Sequence, residues 1–135
     1  MKKEQMVEVT YFLLRVVAGL LFLQAGGVKI LDWFGGVPAQ FGGHPHFPAE
    51  VWFAGMLELI GGTLILLGLF TRCAAFVVSG EMAVAYFQAH FPQGFWPVQN
   101  HGETAVLFCF VFLFFAAYGS GAWSLDTLIA RKRGR

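Results

Sequence analysis

A chain of 135 residues has room for one domain and little more. With 57% hydrophobic and only 13% charged residues it lies far from ordinary soluble domains, and its sixteen Phe and seventeen Gly suit lipid-facing bulk and close helix contacts. A net charge of +1 supplies no basic face for nucleic acid, so the expected partner is the lipid bilayer.

Lys2 and Lys3 precede an apolar stretch, as in a signal peptide, but Arg15 interrupts it and no small-x-small cleavage site follows. The segment is therefore expected to be retained. A membrane-crossing helix needs about 20 residues. The pattern predicts four such helices, over residues 9–28, 51–70, 73–90 and 104–123. The separators carry turn chemistry: Asp32, Gly35 and Gly36, then Gly42 to Pro48 after the first; Pro92, Gly94 and Pro97 after the third. Only Thr71 and Arg72 separate the second and third, which predicts a tight antiparallel hairpin with both longer loops on the opposite side.

Orientation follows from the cations. Lys2, Lys3, Arg72 and the run Arg131, Lys132, Arg133, Arg135 lie on one side, while Trp33, Trp52 and Trp96 mark the other interface. The expectation is an all-α, integral membrane four-helix bundle, multi-pass in the bacterial cytoplasmic (inner) membrane, with N and C termini cytoplasmic. From Trp123 to Ile129 the chain should lie along the inner surface, its basic tail on anionic lipid. Each half has an outward helix, a Gly- and Pro-bearing loop and an inward helix with Glu58 or Glu103, which hints at two repeated hairpins.

The polar residues inside these spans form a pattern. Arg15, Gly19 and Phe22 are followed by Gly26, Gly27 and Lys29; Glu58, Gly61, Gly62, Gly68, Thr71, Arg72, Ala74 and Ala75 make the most specific block. Met82, Ala85 and His90 lead to Asn100 and Glu103, and Gly119, Gly121, Ser124 and Asp126 close it. Over nearly the whole of residues 1–135, read as a single domain, the chain resembles the DoxX family of small bacterial four-helix membrane proteins. One position departs from the pattern: His101 stands where a second Gly is expected after Asn100. The resemblance implies redox work, since some relatives are membrane subunits of a thiosulfate to quinone oxidoreductase and others are associated with redox stress.

Independently of that resemblance, Arg15, Glu58 and Glu81 lie inside apolar spans, where a charge costs roughly 2.5–3.5 kcal/mol and must face the interior. Counting helix rise, Arg15 and Glu81 both lie about 10 Å from the cytoplasmic end, so they are expected to pair, as a structural clamp or with Glu81 as a proton relay. Glu58 falls in the outer half of the second span and Lys29, His90 and Glu103 near the outer ends of theirs, and the four form the candidate ligand-binding cluster. His44, His46, His90 and His101 also lie on that side; His44, His46 and His101 are the metal candidates, though solvated loop histidines fit the same pattern and no resident metal is expected. Cys73 and Cys109 are separated by about 15 Å in depth, too far for a disulfide.

The leading expectation is a redox-associated membrane subunit that holds a quinone or similar small apolar molecule near Glu58, His90 and Glu103 and acts with a redox partner protein, as a monomer or homo-oligomer. Two alternatives stay open: a small solute or proton permease using Glu58 and Glu81, and a structural or assembly factor. No autonomous catalytic motif is evident.

Overall fold

The computed structural model describes residues 1–37 and 49–134, and among these the regular structure is helical. Without a proline to interrupt it, the first apolar stretch forms a single 28-residue helix, α1 (Lys3–Ile30), about 42 Å long at 1.5 Å per residue. The Gln5 side chain accepts the Lys2 backbone N–H at 3.1 Å, and Glu4 and Lys29 complement the helix dipole at its two ends. α2 (Ala49–Leu67) returns alongside it. α1 and residues Glu50–Leu67 of α2 are long and apolar enough to cross a membrane.

α3 (Thr71–Ala85) continues through a π-helical stretch at Tyr86–His90 and a 3-10 turn at Phe91–Gln93. A short α4 (Pro97–Asn100) precedes α5 (Glu103–Tyr118), a shorter apolar helix, and α6 (Leu125–Arg133) follows. The first helix outruns its expected bounds of 9–28 at both ends, and two later helices stop short of theirs. The hairpin turn is Gly68–Phe70, not Thr71 and Arg72: Gly68 and Phe70 take positive φ values of 70° and 48°, which end α2 three residues earlier than hydropathy does. The last apolar helix ends at Tyr118 instead of residue 123, because Gly119, at φ 95°, terminates α5.

α1 packs chiefly on α2, and α3 on α5, so the two expected hairpins are the two tight helix pairs. In the first pair the backbones themselves touch. A Cβ on Gly19 would stand 2.6 Å from the Leu66 nitrogen, and one on Gly62 would stand 2.9 Å from the Gly19 carbonyl oxygen. We expect Gly62→Leu to separate α1 from α2 and cost several kcal/mol (about 1–3 for overpacking alone), read as a lower unfolding midpoint in mixed micelles. An unchanged midpoint would count against this contact.

Rings join α1 to α5. Phe112 and Phe115 are fully buried, and Phe22 from α1 meets Phe112 at 4.8 Å between centroids, near edge-to-face. Large apolar side chains also cover the outside: Leu107 is 68% exposed, Phe76 66% and Phe110 64%. Soluble monomers rarely show so continuous an apolar exterior.

Arg15, 2% exposed, has a use other than the expected one. Its Nε donates to the Ile65 carbonyl at 3.0 Å, Nη1 to Ser120 at 2.5 Å and Nη2 to Trp123 at 3.0 Å. It therefore joins the end of α2 to the segment after α5, and the expected pair with Glu81 does not form. Arg15 lies level with the α2–α3 turn, whereas Glu81 lies ten residues past Thr71, about 15 Å further along α3. Asp126 completes this end: its carboxylate accepts the N–H groups of Phe70 (2.8 Å) and Thr71 (3.1 Å), while its own N–H donates to the Gly68 carbonyl at 2.9 Å. Glu8 fixes the same segment by accepting from the Tyr118 hydroxyl at 2.7 Å and the Ala122 N–H at 3.0 Å.

Candidate functional site

The opposite end of the bundle holds the other buried charges. The Lys29 stem lies against Gly55, where a Cβ would meet the lysine Cβ at 2.9 Å, so the helices come close enough for a direct ion pair. Lys29 Nζ is 2.6 Å from both Glu58 oxygens, and the Glu58 side chain is 4% exposed against 28% for Lys29. A bidentate pair of this kind is the arrangement in which a buried carboxylate is tolerated. The sequence reading placed these two within reach, and the structure brings them into contact.

Glu81 adds a second carboxyl. Both of its oxygens are buried and no donor among the described residues is hydrogen-bonded to them; the polar groups acting on it are the Glu58 carboxyl and the Lys29 ammonium. Three ionisable groups from α1, α2 and α3 therefore meet, with one cation for two carboxyls. They line a cavity of about 550 Å³ whose remaining wall is largely apolar, including Phe22, Val51, Met82 and Phe108. Volume and lining suit a small, mainly apolar ligand with one polar end.

His90 and His101 also line this cavity. His90 Nδ1 donates to the Asn100 carbonyl at 3.0 Å, which fixes that tautomer. Asn100, fully buried, organises the surrounding loop: its Nδ2 donates to the Gly94 carbonyl at 2.8 Å and the Tyr86 hydroxyl at 3.1 Å, and its Oδ1 accepts the Gly102 N–H at 2.9 Å. His101 has φ 60°, the left-handed backbone that glycine adopts without strain, so the departure from the family pattern keeps the turn and places an imidazole at the cavity.

Glu103 does not join the cluster. It occupies the first turn of α5, where its charge favours the helix N-terminus, and it is exposed while Thr104 and Ala105 face the cavity. Conversely, Glu50 and Gln88 line the cavity and were missed. Glu50 reads in sequence as a first-turn helix acid, and Gln88 lies in the π-helical stretch, where normal helix spacing gives the wrong face. His44 and His46 lie outside the described residues; among the described residues no three His, Cys, Asp or Glu side chains form a metal-sized group. Cys73 and Cys109 are free thiols.

Apolar helices with lipid-type exteriors around an ionic cluster define a helical membrane protein with an internal ligand-sized cavity. The DoxX family model matches residues 10–91, more than half of the chain, and the chain belongs to the DoxX family. That match includes Arg15, Lys29, Glu58, Glu81 and His90. An uncharacterized protein of Haemophilus influenzae is 40% identical over 129 residues, covering 90% of this chain and 93% of the relative. A protein of Mycobacterium tuberculosis, named as an uncharacterized membrane protein, is 31% identical over 134 residues, covering 88% of this chain and 80% of the relative. No solved structure matches the chain.

Proposed function

We propose that this DoxX protein crosses the bacterial inner membrane four times, with both termini cytoplasmic, and holds a quinone or similar small apolar molecule in the cavity at Lys29, Glu58 and Glu81. On this reading it is a membrane subunit that acts with a redox partner protein. The observation that supports it is the joining of an apolar, ligand-sized cavity to two buried carboxyls and one ammonium, groups that can hydrogen-bond and exchange protons with a ring oxygen. The redox assignment comes from the family resemblance.

Native mass spectrometry of gently extracted protein should retain a quinone-sized ligand, and Glu58→Gln should weaken binding of an added short-chain benzoquinol, whose O–H can donate to a carboxylate, by about tenfold or more, the value of one hydrogen bond to a charged group. Absence of saturable binding would sink the reading. Proton flux through the isolated protein in sealed liposomes would transfer the assignment to a permease.

Topology has its own test. In a background lacking Cys73 and Cys109, single cysteines at Lys3 and Arg72 are expected to label only from the cytoplasm and one at Gly35 only from outside. Labelling of any of them from the opposite face would overturn the orientation.

A further inference from the structure

A second cavity, of about 330 Å³, lies between α2 and α3 and is lined by Phe53, Leu57, Val77 and Val84 together with residues of the first. The residues common to both are Glu50, Ala54, Glu81, Ala85 and Gln88, so the two spaces adjoin at these side chains. Two of the five are alanines, whose methyl groups are the least bulk an L-residue can place there. On the far side Phe53, Val77 and Val84 are 61%, 45% and 54% exposed, part of the apolar exterior that a bilayer would cover. α2 and α3 also pack less extensively than the α1–α2 or α3–α5 pairs. Glu81, with its undonated oxygens, belongs to both cavities.

Building on the proposed function, we propose that the ligand is a single-tailed amphiphile whose hydroxyl-bearing ring lies at Glu81 in the inner cavity and whose apolar tail leaves over Ala54 and Ala85, between α2 and α3, into the bilayer. Head and tail are each argued from the lining. Glu81 faces the Glu58 carboxyl, and Lys29 is already engaged by both oxygens of Glu58, so a head that brings its own O–H finds an acceptor at Glu81. A phosphate head is disfavoured, because it would set further negative charge beside Glu58, Glu81 and Glu50 with His90 and His101 as the other titratable groups around the cavity. Past Ala54 and Ala85 the tail meets the apolar side chains of Phe53, Leu57, Val77 and Val84, and lateral access from lipid spares it any passage through water.

Two probes with the same 1,4-hydroquinone head separate this from the parent reading: one without a tail and one with a decyl tail carrying a diazirine. In nanodiscs the tailed probe should photolabel Phe53, Leu57, Val77 or Val84, located by peptide mass spectrometry. Val84→Trp, at a residue that lines only the second cavity, should reduce that labelling and the tailed probe's affinity by about tenfold or more while leaving tailless binding within about threefold, which also verifies the fold. Equal affinity for both probes, or labelling confined to α1 or α5, would overturn the lateral path and leave the head site standing. Failure of both probes to bind would remove the site and the path together, and preferential binding of an anionic phospholipid would replace the proposed head chemistry.

Discussion

Lys29→Met is expected to lower the stability of the detergent-solubilised protein by about 3–5 kcal/mol, the usual cost of leaving one member of a buried ion pair without the other. The Glu58 carboxylate is nearly inaccessible and takes both of its close contacts from the one ammonium, so no water-exposed alternative replaces Lys29. Adding Glu58→Gln should recover much of the loss, since the remaining groups are then neutral or able to hydrogen-bond. A double-mutant cycle by equilibrium unfolding in mixed micelles reads this directly. Two losses that simply add would show that Lys29 and Glu58 are not energetically coupled.

Arg15→Leu should be at least as damaging, but without a rescuing partner. The change leaves the carbonyls of Ile65, Ser120 and Trp123 without their donor, at about 1–3 kcal/mol for each buried group left unsatisfied. It also opens a volume where α2, the α5–α6 segment and the ring of Phe12, 5.4 Å from the guanidinium carbon, now meet. Combining it with Glu81→Leu should give losses that add within about 0.5 kcal/mol, because the two side chains lie at different levels of the bundle. Recovery in the double variant would restore the pairing that the sequence leads one to expect.

That expectation shows where reading the chain worked and where it stopped. Hydropathy marks α1 and α2 because their apolar windows are long and have few charges. It places the α2–α3 turn too late because Leu69 and Phe70 are as apolar as the helix before them, and the positive φ of Gly68 and Phe70 leaves no trace in hydropathy. Depth counting fails at Arg15 because it starts the first helix at residue 9 whereas α1 begins at Lys3, and a residue's level depends on where its helix begins. Lys29 and Glu58 were legible because Lys29 sits near the far end of α1 and Glu58 in the adjoining half of a helix packed on it through glycines. The rest of the site depends on rotation as well as depth. Glu103 turns outward while Thr104 and Ala105 face in, and the π-helical stretch at Tyr86–His90 resets the face that Gln88 and His90 present. Asn100 was visible as part of the family pattern, but its role as the hub joining Tyr86, Gly94 and Gly102 arises from a loop with no periodicity to read.

The contact of Asp126 with the α2–α3 turn also sets a timetable for synthesis. Phe70 precedes its capping carboxylate by 56 residues. At about 5–20 residues per second, the ribosome delivers Asp126 about 3 to 11 s after the turn has been made. During that interval the Phe70 and Thr71 amides lack the carboxylate that later accepts them, and Arg15 lacks the Ser120 and Trp123 carbonyls. The first two helices can associate through their glycines as soon as both are inserted, but their hairpin is locked only when the last part of the chain returns to it. A nascent chain arrested before Asp126 should therefore be more open to membrane proteases at the turn than one arrested after it has emerged.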